Sequence, residues 1–95
     1  MERRWEIRKS LAARVKIAWT DHTGARVEML AMVEDLSPAG ASIRVKKLVG
    51  AGSRLEVHWP GRDFSGTVRY CRASGPGYIL GVEKDTAPIA PQISE

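Results

Sequence analysis

Residues 26–46 read RVEMLAMVEDLSPAGASIRVK, and the reading of this stretch decides the fold. Val27, Met29, Ala31 and Val33 occupy every second position, and so do Ala41, Ile43 and Val45 further on. A period of two sends successive side chains to opposite faces of an extended chain, so each run reads as a half-buried β-strand. Leu30 and Met32 make the second face of the first run partly apolar, which predicts a strand covered on both sides. Between the runs, Asp35-Leu36-Ser37-Pro38-Ala39-Gly40 interrupts the period. Pro38 cannot donate to a sheet ladder, and Gly40 tolerates positive φ, so the interruption is a turn.

The same grammar extends in both directions. Upstream, Val15, Ile17 and Trp19 alternate with Arg14, Lys16, Ala18 and Thr20, and Asp21-His22-Thr23-Gly24 turns the chain. Downstream, Gly50-Ala51-Gly52-Ser53 is a loop, after which Leu55, Val57 and Trp59 alternate with Arg54, Glu56 and His58. Pro60-Gly61-Arg62-Asp63 is a turn. Phe64, Gly66, Val68 and Tyr70 then alternate with Ser65, Thr67, Arg69 and Cys71. Ser74-Gly75-Pro76-Gly77 turns again, and Tyr78, Leu80 and Val82 alternate with Ile79, Gly81 and Glu83. Trp19 and Trp59 fall on inward faces, as core residues.

Short strands at regular spacing predict an all-β domain, and six of them in a chain this short favour a closed antiparallel barrel, which leaves no edge exposed. The expected layout is one domain over 1–95: a flexible arm at 1–10, a barrel at about 11–84 and an irregular tail at 85–95, which holds Pro88 and Pro91.

Composition narrows the function. No apolar run approaches the ~20 residues of a membrane span, and no apolar signal segment follows the basic start. The single cysteine, Cys71, excludes an internal disulfide framework and fits a reducing cytoplasm. His22 and His58 lack metal-spaced companions, so no metal site and no cofactor are expected. No nucleophile beside a general base is visible, which argues against an enzyme. The net charge is +4, and its placement matters more than its size. Residues 1–16 hold six basic side chains against two acidic ones, while the remainder balances at nine of each. A basic end points to an anionic partner.

Two stretches carry the candidate chemistry. In Arg3-Arg4-Trp5-Glu6-Ile7-Arg8, Arg4 and Arg8 form an R-x-x-x-R pair around Trp5. A guanidinium is a planar fork of donors, suited to a phosphate or to the O6/N7 edge of guanine. Trp5 offers a ring for stacking on a base, or for packing on the barrel. In Asp35-x-Ser37-x-x-Gly40, the Asp35 carboxylate suits the N1 and N2 donors of guanine, Ser37 suits phosphate or base, and Gly40 lets a backbone come close. The alternative is an Asx-turn in which Asp35 bonds its own loop. Together these groups suit a guanine nucleotide better than a metal or a protein substrate.

The order Arg-Arg-x-x-x-Arg, a strand pair, then Asp-x-Ser-x-x-Gly resembles PilZ domains, bacterial receptors for cyclic di-GMP. Phe64-Ser65-Gly66-Thr67-Val68 and Tyr78-Ile79-Leu80-Gly81-Val82-Glu83 resemble that family's last strands, so the likeness runs over about residues 2–85. It implies a six-stranded antiparallel split barrel whose arm folds over the ligand. Arg4 and Arg8 would hold phosphates and guanine edges, and Asp35, Ser37 and Gly40 would complete the site. It also implies a non-catalytic receptor that signals to an effector protein. Arg3 adds a third guanidinium beside the pair, helping to offset the mutual repulsion of four phosphates in a stacked ligand pair. In such domains an arginine at that position accompanies two-ligand binding, so two molecules per chain are expected. The competing readings are a small barrel binding single-stranded nucleic acid and a PilZ-like interaction module without a ligand. Against the former, the basic excess is confined to the arm rather than spread along a groove.

Overall fold

The computed structural model describes residues 9–85. Six strands fill them: β1 (Lys9–Thr20), β2 (Arg26–Leu36), β3 (Gly40–Val45), β4 (Arg54–His58), β5 (Phe64–Ser74) and β6 (Gly77–Lys84). Every pairing is antiparallel, and the order β1-β2-β3-β6-β5-β4 closes on itself. The all-β barrel expected from the alternating runs is thus the observed fold, and no helix occurs among the described residues.

All six strands feed one aliphatic interior. Ile17, Val33, Ile43, Leu55, Val57, Val68 and Leu80 are fully buried. Each such side chain stabilises the fold by about 1.5–3 kcal/mol, far more than an exposed ion pair contributes, so the interior holds the barrel together. Trp19 is buried, whereas Trp59 packs only partly against the core and carries the Arg62 guanidinium 5.2 Å from its ring centre. β3 and β4 are not neighbours, so residues 46–53 cross one end of the barrel. Val49 plugs that end, at 1 % exposure, a role its loop position in the sequence did not reveal.

The turns follow from their residues. Asp21 Oδ1 accepts from the Thr23 backbone N–H at 2.9 Å, the Thr23 hydroxyl at 2.6 Å and the Ala25 N–H at 3.1 Å, an Asx-turn. After Trp59, the Arg62 N–H returns to the Trp59 carbonyl at 2.6 Å, with Pro60 supplying a fixed φ and Gly61 a φ of 78°.

The seam between β1 and β4 is short, with three register pairs from Lys16↔His58 to Ala18↔Glu56. Arg26 of β2 reaches across β1 to brace it: its guanidinium donates to Glu56 at 3.1 and 3.3 Å and to Glu28 at 3.1 Å. Ala18 lies between Glu28 and Glu56 in the register and is fully buried although it faces outward; its small side chain leaves room for that bridge. Leu30, by contrast, is 65 % exposed, so the outer face of β2 is not covered as its apolar residues suggested.

Strict alternation fails at three places. Leu11 and Ala12 of β1 stand opposite Glu34 alone, Glu34 is an extra residue of β2 against β3, and Arg69 is an extra residue of β5 against β6. Each bulge reverses which face the following residues occupy. Tyr70, expected to face inward with Val68, is therefore on the outside at 43 % exposure, and Cys71 packs against the core instead.

Three exposed carboxyls have pKa values below their ordinary ones of 3.8 for Asp21, 4.5 for Glu56 and 3.8 for Asp85. The first cause is a side-chain hydrogen bond in each case, from Thr23, Arg26 and Arg54 respectively. A carboxyl that is more acidic folded than unfolded stabilises the fold above its unfolded value. That contribution is lost as the pH falls through the lower folded value. Thermal midpoints should therefore hold on going down from about pH 7 and decline below about pH 4.5. Glu56→Gln should flatten the decline; an unchanged profile would deny the Arg26 bridge any part in it.

Candidate functional site

The bulges assemble one row across five strands. Ser10 pairs with Asp35, Asp35 with Ser42, Ser42 with Gly81, and Gly81 with Tyr70. By strict alternation from Val33, Asp35 would point into the core; the extra residue Glu34 puts it in register with outward-facing Ser42. Asp35, Ser42 and Tyr70 line a groove of about 380 Å³ on the outer wall, together with Ser37, Arg69 and Glu83.

The turn beside it is tight. The Ser37 N–H donates to the Gly40 carbonyl at 2.9 Å, and the Gly40 N–H donates back to the Ser37 carbonyl at 3.3 Å. The Ser37 hydroxyl adds a long bond of 3.4 Å to the same Gly40 carbonyl. Ser37 therefore closes this turn. Gly40 is not among the positive-φ glycines, contrary to the conformation expected of it. Its lack of a side chain serves packing: a Cβ there would overlap the Val82 carbonyl oxygen of β6. The close approach is thus to the neighbouring strand. Gly81 is constrained similarly, since the Tyr70 ring occupies the space of its missing side chain. The Arg72 guanidinium lies 5.2 Å from the centre of that ring.

Sequence reasoning did not assign Arg69, Tyr70, Ser42 or Glu83 to the site. Arg69 and Glu83 form an ion pair on the groove wall, the Arg69 Nε donating to the Glu83 carboxylate. The only signal for them was the outward parity of Arg69 and Glu83 within their strands; their meeting depends on the pairing of β5 with β6. The described lining residues include two carboxylates, Asp35 and Glu83, and one guanidinium, Arg69.

Arg3, Arg4, Trp5 and Arg8 lie outside the described residues, as does the tail from residue 86. The structure does describe where the basic end joins the barrel. β1 starts at Lys9, inside the stretch read as arm, with Lys9 opposite Leu36 and Ser10 opposite Asp35. Arg8 is therefore covalently attached to a residue that pairs next to the turn. Among the described residues no group of three or more His, Cys, Asp or Glu is placed to hold a metal ion.

The described residues thus form a closed six-stranded antiparallel barrel with an Asp-x-Ser-x-x-Gly turn on its wall. The family model of the PilZ domain matches residues 2–91, and the chain belongs to that family. No curated protein matches the chain.

Gly40→Ala should lower the unfolding free energy by roughly 1–3 kcal/mol, because the added methyl forces β3 from β6 in a well-packed wall. Urea unfolding measures this. Wild-type stability in that variant would show that the two strands separate freely at this point.

Proposed function

We propose that this chain is a non-catalytic, cytoplasmic receptor for cyclic di-GMP that passes the signal to an effector protein. The observation that supports the reading is the register of Lys9 with Leu36 and of Ser10 with Asp35, which sets the start of β1, the residues that follow Arg8 in the chain, beside the Asp-x-Ser-x-x-Gly turn. Membership of the PilZ family supports the ligand class. In this reading Arg4 and Arg8 grip phosphates and the O6/N7 edges of guanine as bidentate forks. Asp35 accepts from the guanine N1 and N2 donors, and Ser37 adds a hydroxyl. Gly40 keeps the turn close to β6, and Trp5 supplies a stacking ring. The confinement of the basic excess to residues 1–16 supports this division of labour, since phosphate recognition falls to the arm.

Calorimetry of the wild type with cyclic di-GMP tests the reading. Arg4→Ala and Arg8→Ala should each cost about 1.5–3 kcal/mol of binding. Arg3 is assigned to a second, stacked ligand, so the wild-type ratio should lie near two, and Arg3→Leu should bring it toward one. No heat with cyclic di-GMP, or equal affinity for a single-stranded oligonucleotide, would sink the assignment.

Arg69 is the further phosphate donor in this scheme, held in reserve by Glu83. Removing its partner with Glu83→Gln should strengthen binding by up to about fivefold, the ceiling for an exposed pair. In an Arg69→Ala background most of that gain should disappear. A gain of equal size there would mean that Glu83 acts on the ligand directly, with Arg69 a bystander.

A further inference from the structure

A second groove lies on the outer face of β2 and β3, displaced along the strands from the 37–40 turn. Leu30, Met32 and Pro76 form its floor, and Arg14, Arg44 and Lys46 its rim. At about 590 Å³ it is larger than the 380 Å³ groove beside Asp35. Met32 stands in register between Arg14 of β1 and Arg44 of β3, so an apolar side chain is flanked on both sides by guanidinium groups. Leu30 is 65 % exposed. No carboxylate and no aromatic ring is among the described lining residues.

The rim is only partly neutralised. Arg44 is committed, donating to Glu34 at 2.8 Å, to the Ser74 carbonyl at 3.1 Å and to the Ser74 hydroxyl at 3.2 Å. These bonds tie β3 to the β5–β6 turn that carries Pro76 and give the groove a fixed far wall. Arg14 and Lys46 make no ion pair among the described residues. The groove thus offers two cations that are not ion-paired among the described residues, above an apolar floor, on a wall that β1 to β3 hold rigid.

We propose that this groove docks an acidic, apolar-containing segment of a partner protein. The partner's apolar side chains seat on Leu30, Met32 and Pro76, and its carboxylates pair with Arg14 and Lys46. Charge complementarity selects the acidic partner, and the exposed leucine supplies the apolar contact. Where Met32 lies between β1 and β3 the backbone is already paired on both sides, so recognition at that point comes from side chains on the wall. Nucleic acid is disfavoured because the described lining residues include no aromatic platform for bases. The proposal does not depend on the ligand assigned to the first groove. The two grooves are nonetheless physically connected: Glu34, the bulge residue beside Asp35, is the group that holds Arg44 on this rim.

The test uses the full chain and a fluorescently labelled synthetic peptide in which Leu alternates with Glu, read by anisotropy. Control peptides carry Lys in place of Glu, or Ser in place of Leu, and a thymidine oligonucleotide is the nucleic-acid probe. The Leu/Glu peptide should bind more tightly than all three. Leu30→Ser and Lys46→Glu should each weaken it by about tenfold, the loss expected on exposing one leucine or reversing one rim charge. Arg62→Glu, beside Trp59, should leave it unchanged. Thermal melts confirm that these surface variants remain folded. The proposal fails if the Leu/Glu peptide binds no better than the Ser/Glu peptide, or if neither groove variant weakens it. It also fails if the oligonucleotide binds better, or if sedimentation shows wild-type self-association that Leu30→Ser abolishes, since the occupant would then be a second copy of the chain.

Discussion

The structure depends on a constraint of parity. A strand sends alternate side chains to opposite faces, so any polar group that must reach the surface after an inward residue needs either the right spacing or an extra residue. Counting by two from Val33 places Asp35 inside the barrel, and counting by two from Val68 places both Tyr70 and Arg72 inside. A carboxylate or guanidinium buried without partners in an aliphatic interior is strongly unfavourable. The extra residues Glu34 and Arg69 remove the conflict. They return Cys71 to the core and bring Asp35 and Tyr70 into one outward row with Ser42 and Gly81. The register shift at Leu11 and Ala12 leaves Ser10 paired with Asp35. The groove is a consequence of satisfying the core.

Around this site the barrel divides its tasks between inside and outside. The interior is aliphatic and drawn from every strand, which gives a rigid wall. The charges lie outside and bridge strands in specific places: Arg26 across the β1–β4 seam, Arg44 from β3 to the β5–β6 turn, Arg54 to Asp85 at the end of β6. Exposed pairs of this kind add little to stability. Their effect is to hold particular side chains in place, and Arg69 and Arg44 line the first and second grooves respectively. The described wall of the first groove carries Asp35, Glu83 and Arg69, whereas the chain's basic excess lies before and within β1. In the function proposed above, binding is a joint act of barrel and arm.

Much of the fold was legible in the chain. Period-two alternation marked all six strands, and Pro-Gly, Asp-Thr-Gly and Ser-Pro-Ala-Gly marked turns, because these signals depend on neighbours within a few residues. The Asp-x-Ser-x-x-Gly stretch was legible for the same reason. Several assignments changed in the structure. Tyr70 moved to the outer face, Gly40 proved to be needed for its contact with the Val82 carbonyl, and the outer face of β2 stayed open at Leu30. Val49 acquired a role as the plug of the barrel. Each of these depends on which strand lies beside which, and a local pattern carries no record of that.

The sequence by itself determined the strands, most of their inward residues and the two motifs, since side-chain alternation and turn chemistry are local properties of the chain. Only the tertiary structure decided the register. It alone placed Arg69 against Glu83, Tyr70 over Gly81, Ser10 opposite Asp35, and Met32 between Arg14 and Arg44. The reason is that a bulge shifts the pairing by one residue and reverses every face beyond it. Whether a chain bulges at Glu34 or at Arg69 is settled by the partner strand's hydrogen bonds and by the shared core.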